Sequence, residues 1–272
     1  MLPASIKAFR AAQTTLKTAI PPQARRDLEA ATGEAGEVAA WIAYDSGDPG
    51  QSYGLARDAL IHTRIAGDRS MELFLLNHLT MLDIVTGAPG ERTIRTTDQV
   101  FDDKHLSPRV EAIFRIRRGR ALARLGDSGG AIKEIQQAKH VIANGVVSGD
   151  PYWTWWADEA EVTWHEGMAL GELGEWRRAV PLFERTVTLR DDKLVRSLYN
   201  DKVHLLSAYT HAGAWNDAGS ILGEITGAGQ MVTSGRTTRL LREATAGIIS
   251  AGSAVPPDVV DAAHAVEVGA SE

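Results

Sequence analysis

The sequence contains no cysteine. Its absence excludes disulfides, thiolate nucleophiles and cysteine-ligated metals. Aromatic residues are also scarce, at 6% of the chain, while alanine and leucine recur throughout. That balance favours helices over β-sandwiches. No apolar run reaches the length a bilayer-spanning helix needs, so no membrane segment is expected. Residues 1–20 carry Lys7, Arg10 and Lys17 without an acid, but they lack the continuous apolar stretch of an export signal. They read as an amphipathic first helix, and the cytoplasm is the expected compartment. Positive charge is in short supply overall, with a formal net charge of -6. A free-standing nucleic-acid binder is therefore not expected, because phosphate contacts need a positive face to displace counterions.

What the chain does have is ordinary globular stock, 44% hydrophobic and 24% charged over 272 residues, enough apolar mass for an extended core. Within it a glycine followed by turn-type residues recurs at Gly47, Gly87, Gly126, Gly174 and Gly213, at intervals of 40, 39, 48 and 39 residues. Such a glycine supplies the left-handed conformation that ends a helix, so each interval reads as a helical hairpin. Small residues keep step with it. Gly119 and Gly167 lie seven residues before a turn glycine, Ala131, Ala179 and Ala218 five after, and Ala59 and Ala138 twelve after. This is the spacing of the tetratricopeptide repeat, in which small side chains let paired helices approach, and the stretch from Gly174 to Leu189 is its clearest copy. The second unit has Thr80 and Arg92 where small residues belong, so its hairpin is expected to pack less tightly. The long interval is explained by an insertion between Ala143 and Trp156.

The expected fold is all-α: a tetratricopeptide-like right-handed superhelix of about five hairpins with capping helices. Residues 1–251 form the solenoid, with opening helices at 1–33, five repeats over 34–230 and a closing helix over 231–251. Residues 252–272 read as a short, frayed C-terminal tail.

Three stretches, GEVAAWIAYDSGD from Gly36 to Asp48, ARDALIHTRIAGD from Ala56 to Asp68 and DPYWTWWADEAE from Asp150 to Glu161, carry a family resemblance. Together they make the span from Leu2 to about Arg242 resemble the C-terminal tetratricopeptide region of actinobacterial transcriptional regulators with an N-terminal helix-turn-helix of the Xre type. In that family a DNA-binding domain precedes the solenoid, and this sequence contains none. A chain of this kind is either a piece of a longer regulator or a stand-alone relative without the DNA reader. The resemblance implies a sensor role.

Two short motifs suggest chemistry and fail on context. Gly126-Asp127-Ser128-Gly129-Gly130 matches a serine-protease nucleophile signature, yet it falls in the turn between two helices of a chain without β-barrel patterning. His165-Glu166 begins like a zincin helix, but Ala169 stands where the second histidine belongs. No catalytic residue, metal site or cofactor is expected.

The sharper signal is a register. Nine residues before successive turn glycines stand Val38, His78, Arg117, His165 and His204. That offset belongs to the first helix of each unit, the one expected to line the concave surface. Helical spacing adds Asn77, Met81, Arg120, Arg124, Trp164, Met168 and Ser207 to the same face. Two readings are open: a ligand-binding groove, or histidines that bridge neighbouring helices. Arg117, Arg120 and Arg124 share one helix face, as a carboxylate or phosphate site would use them. Equally, they could form a solvated face neutralised by Glu34, Glu37 and Glu161. Five of seven tryptophans, at 153, 155, 156, 164 and 176, fall in the insertion and fourth unit, where packing between repeats is favoured except for Trp164.

The expected function is a regulatory binding module that takes a peptide or small acidic effector in its groove, with homodimer contact one route of response. The alternative is a stand-alone scaffold for a partner protein. A helical-repeat enzyme using the histidine column is a third.

Overall fold

In the computed structural model, all five turn glycines have left-handed backbones, with φ of +94° at Gly47, +77° at Gly87, +80° at Gly126, +76° at Gly174 and +72° at Gly213. An L side chain is strained there, which is why the chain reverses at these points. In several turns an aspartate follows at once and starts the next helix. Asp48 accepts a hydrogen bond from the Gln51 amide at 2.8 Å, and Asp127 one from the Gly130 amide at 2.9 Å. The Gly-Asp pair thus stops one helix and caps the next.

The structure describes residues 1–103, 105–228 and 234–269. Among them are thirteen α-helices and no strand. Helix α1 (Leu2–Thr15) opens the chain. Five hairpins follow: α2 (Pro22–Asp45) with α3 (Pro49–Ala66), α4 (Arg69–Val85) with α5 (Gly90–Phe101), α6 (Pro108–Arg124) with α7 (Ser128–Ala143), α8 (Glu159–Glu172) with α9 (Trp176–Leu189), and α10 (Val195–Ala212) with α11 (Trp215–Ala228). Helices α12 (Gly235–Ser250) and α13 (Pro257–Gly269) complete the stack.

The small residues stand where the helices meet. A Cβ on Gly119 would lie 2.8 Å from the Ile135 side chain, and one on Gly33 would lie 2.4 Å from the Thr63 methyl. Ala59, Ala131, Ala138, Ala179 and Ala218 are fully buried. Larger side chains at these positions would push the helices apart and lose close packing along the whole contact. Of the five hairpins the second packs its helices least closely. There Thr80 is buried and Arg92 reaches across to Asp83 at 2.7 Å. Core residues fall into three clusters along the stack, as expected where each hairpin packs on its neighbours.

Three boundaries differ from the sequence reading. Residues 1–33 are not separate opening helices, because α2 runs unbroken through position 33 and is itself the first half of the first hairpin. Residues 252–269 do not form a frayed tail. Gly252 has φ +57°, and beyond it Val255, Val259, Ala263 and Val266 are buried against the C-terminal core. Helices α12 and α13 are therefore a sixth hairpin. Its glycine stands 39 residues after Gly213, which is the signal the sequence offered. The boundary drawn between 230 and 231 lies outside the described residues, as do 270–272. Finally, the insertion contains a 3-10 helix, Tyr152–Trp156, anchored by Trp153. That indole stacks on Phe74 at 4.8 Å and donates to the Ser70 hydroxyl at 3.1 Å.

The stack also returns on itself. Where α12 begins, the Ser234 hydroxyl donates to Asp45 at the end of α2 at 2.9 Å, and Arg236 lies 3.3 Å from the same carboxylate. Arg196, at the start of α10, pairs with Asp45 as well. A Cβ on Gly235 would lie 2.2 Å from the Ser46 carbonyl, so only glycine permits this approach of the two backbones. The first and sixth hairpins are in contact, and the first helices of the hairpins face a shared interior.

Candidate functional site: a buried polar column

The predicted register positions converge on that interior, except Val38, which is 47% exposed. His78 is buried against the edges of Trp41 and Tyr44, at 5.6 and 6.3 Å between centroids. Its Nε2 lies 3.3 Å from the Ser52 hydroxyl and its Nδ1 3.5 Å from Glu37. Met81 is buried one turn further along α4, and Met168 packs against the C-terminal core. Ser207 is buried on α10.

The three arginines of α6 behave differently from one another. Arg124 donates to the Ile84 carbonyl at 2.6 Å, completing the C-terminal turn of α4. Arg120 is buried and donates from Nε to Glu172 at 3.1 Å. Both are engaged with internal acceptors. Arg117 is buried too, but its Nε donates to the Asn77 side-chain carbonyl at 2.9 Å and its Nη1 meets His165 Nε2 at 3.1 Å. Neither partner carries a negative charge, and among the described residues no carboxylate hydrogen-bonds this guanidinium.

The protonation of His165 follows from that contact. A guanidinium has donors and no acceptor, so the Nε2 facing Arg117 must present its lone pair and the proton sits on Nδ1. Glu161 lies 3.4 Å from the same Nε2 without forming a hydrogen bond to it. His165 Nδ1 is buried without a hydrogen-bond partner, and so is the neighbouring Trp164 Nε1. The Trp164 ring sits between His165 and His204, with centroids 4.6 and 4.8 Å away, and Arg120 lies 5.8 Å from its centre. One charged donor and two unpaired neutral donors thus lie at the heart of the column.

Burial, reinforced by the charges of Arg117 and Arg120, pushes His165 down to about 3. Burial together with Arg236 and Arg120 does the same to His204, also to about 3. Both are neutral near pH 7. Burial and the like charge of Arg120 pull Arg117 down to about 10, and it remains a cation. Burial raises Glu161, but the fixed charges of Arg190 and Arg117 oppose it and keep it below the usual carboxylate range. We take Glu161 as ionised and His165 as neutral, because Arg190, 3.4 Å from Glu161, stays charged regardless.

The tryptophans divide by role. Trp153 and Trp176 are packing residues, the latter stacked on His211 at 4.2 Å. Trp156 lies 6.0 Å from the Arg117 guanidinium, and Trp155 is 69% exposed. Sequence reasoning missed Trp156 and Asn77's pairing with Arg117, because the insertion has no repeat register to place it. Ser128 stands at the first turn of α7, where Asp127 caps the helix, and among the described residues no histidine hydrogen-bonds it. No group of three or more His, Asp or Glu able to hold a metal occurs among the described residues. Among these residues no helix is long and apolar enough to cross a membrane.

No family model and no curated protein matches this chain. Among solved structures, it is similar to the nearly identical tetratricopeptide-like repeats of a chain described as a kinesin light chain of Podosopora anserina. A single-substitution variant of those repeats shows 16% identity, covers 74% of this chain and 95% of that one, and has a TM-score of 0.45. The parent repeats show 17% identity, 72% and 93% coverage, and a TM-score of 0.43. At that distance the likeness carries no functional argument, and the fold rests on the hairpins themselves.

Proposed function

We propose that this protein is a non-catalytic binding module whose inner column receives a small acidic effector or the acidic end of a peptide. One observation carries the reading: Arg117 is a buried cation whose hydrogen-bond partners are both neutral, beside two unpaired N–H donors. Glu161 compensates this cation only through space, and an anion hydrogen-bonded at that point would complete the pairing. The centre of the site is Arg117, with Asn77, Trp164, His165 and His204 around it. Arg120, Arg124, His78, Met81 and Met168 form its walls.

In the setting the family resemblance implies, the module is the sensor part of a transcriptional regulator. A ligand seated in the column would alter superhelical pitch or dimer contact, and with it an attached or partnered DNA reader. Solenoid curvature is a sum of small rotations between hairpins, so a modest local change accumulates along the stack. The contact of Asp45 with Ser234 and Arg236 is where such a change would register.

Native mass spectrometry of freshly purified protein tests for a co-purifying anion, and calorimetric titration of that anion against Arg117→Gln tests the site. Loss of a charge-assisted pair should weaken binding by about ten- to a hundredfold, roughly 1.5–3 kcal/mol. Unchanged affinity in a folded Arg117→Gln protein would overturn the assignment. Arg120→Glu is a poorer test, because it would set a second carboxylate against Glu172 and disturb the fold.

A second reading, a scaffold for a partner protein, is favoured by Ile61 and Ile65, which stand 58% and 61% exposed on α3. Binding of a protein partner that survives Arg117→Gln but not Ile61→Asp would support it.

A further inference from the structure

Helix α1 carries an open groove on its outer side. Phe9 is buried and packs that helix onto α2, where a Cβ on Gly36 would lie 2.8 Å from the Phe9 ring. With Phe9 turned inward, Leu2, Ile6 and Arg10 follow one another at successive turns along the next stripe of the helix. Together with Lys7 and, from α3, Gln51, they line a solvent-open cavity of about 640 Å³. Its lining runs from Leu2 to Thr14, about 18 Å of helix. At the far end Gln13 Nε2 lies 3.2 Å from His62 Nε2, which holds α1 and α3 side by side. Gln51 and His62 stand three turns apart on one face of α3, so that helix borders the groove.

The groove is positive in a chain whose formal net charge is -6. No acid precedes Asp27, and neither Lys7 nor Arg10 pairs with a carboxylate among the described residues. The neighbouring helices do not neutralise them. On α3 the single acid, Asp58, stands beside Arg57. Asp48, before that helix, is engaged in capping and accepts from the Gln51 amide at 2.8 Å. On α2, Glu29 is buried against His62 Nδ1 at 2.6 Å, while Arg25 and Arg26 donate to the Leu16 and Ala66 carbonyls.

We propose that this groove seats an acidic amphipathic helix of a partner protein, its apolar side chains on Leu2 and Ile6 and its carboxylates at Lys7 and Arg10. A third helix fits a ridge of side chains into the furrow between two packed helices, and acids on its flank meet the cations on the rim. The apolar residues decide against a membrane as the occupant. Leu2 and Ile6 are half-buried against the N-terminal core cluster rather than projecting from the surface, so neither reaches into a bilayer. The site is independent of the anion reading of the inner column, because it uses none of that column's residues.

The probe is a fluorescein-labelled peptide of about 18 residues, long enough to hold a helix, with leucines along one face and glutamates on its flanks. Its counterpart carries lysine for each glutamate, and fluorescence anisotropy with the full chain measures both. The glutamate peptide should bind and the lysine peptide should not. Lys7→Glu combined with Arg10→Glu alters exposed side chains and should weaken the glutamate peptide about tenfold, with circular dichroism checking the fold. Arg117→Gln should leave this binding unchanged, so failure here and failure of the inner site are told apart. A photo-crosslinking residue on the peptide's leucine face should attach to α1 or α3 of the wild-type chain, which decides the matter even where the double variant does not fold. Equal binding of the two peptides, no binding of either, full affinity in the folded double variant, or attachment outside α1 and α3 would each overturn the proposal. So would binding to phosphatidylglycerol vesicles in place of the peptide.

Discussion

Two arginines with largely enclosed side chains have opposite surroundings. Arg190, at the end of α9, lies 2.6 Å from Asp201, 3.4 Å from Glu161 and 3.9 Å from Asp158. Arg117, on α6, meets an amide and a neutral imidazole. Burial lowers both, but the carboxylates around Arg190 more than reverse it and raise that residue, whereas Arg117 falls to about 10. Depth alone therefore does not make a buried cation structural or functional. The charge of its partners decides, because a matched pair is already satisfied and an unmatched one attracts an anion.

The sharpest way to break this comparison is to remove each arginine in turn. Arg190→Met should destabilise the protein by about 3–5 kcal/mol, because it strands Asp201 and Glu161 in the interior. Arg117→Met strands two neutral acceptors, Asn77 Oδ1 and His165 Nε2, and removes only a through-space partner of Glu161, so it should cost less, about 1–2 kcal/mol. Urea unfolding measures both, and equal losses would mean that Arg117 is as structural as Arg190.

Arg120 belongs with Arg190 by its partner. Arg120→Met leaves the buried Glu172 carboxylate without its donor and should cost about 1.5–3 kcal/mol, between the two values above. A loss no larger than that of Arg117→Met would place Arg120 with the unmatched cation instead.

A smaller effect is expected from pH. His165 and His204 are held near 3 in the folded protein and return to about 6.5 on unfolding. Between those values the unfolded chain binds more protons, so stability is fully present above about pH 6.5 and declines as pH falls towards 3. Asp83 and Asp201, pushed up to about 6 by burial, act in the opposite sense between about 4 and 6, because there the folded state holds the extra protons. The comparison is therefore wild type against His204→Gln, followed by the urea midpoint between pH 7 and pH 6. The variant should lose less on acidification, by at most about 1 kcal/mol. Parallel profiles would show that His204 is not held neutral. For the same reason mild acidification cannot recruit His165 or His204 as extra cations for an anion, contrary to what an unshifted histidine would do.

The smallest effect is expected at Ser128, which belongs to neither network. Ser128→Ala should change stability by less than about 0.5 kcal/mol and leave binding intact. Labelling of Ser128 by a serine-directed phosphonate would reopen a hydrolase reading.

The hairpin frame was legible because its determinants are local. A glycine at φ +72° to +94°, an aspartate capping the next helix and small residues at fixed offsets act within a few residues of themselves. The candidate column was legible in part, because register alone places Asn77, His78, Arg117, Trp164, His165 and His204 on inner helix faces. The sixth hairpin was obscured by Pro256, Pro257 and a short polar turn that read as a tail, although Gly252 keeps the interval.

By itself, then, the sequence determined the helices, their turns and the face each residue occupies, since these follow from backbone conformation and a 3.6-residue period. Which arginine is matched was decided by the tertiary structure alone. Arg117, Arg120 and Arg124 are equivalent by spacing. Asn77 and His165 reach the first, Glu172 the second and the Ile84 carbonyl the third only because helices 40 to 52 residues apart in sequence are packed side by side. The closure of the stack through Asp45 and Ser234, 189 residues apart, belongs to the same class. Electrostatic pairing depends on distances between helices, and no local rule in the chain specifies them.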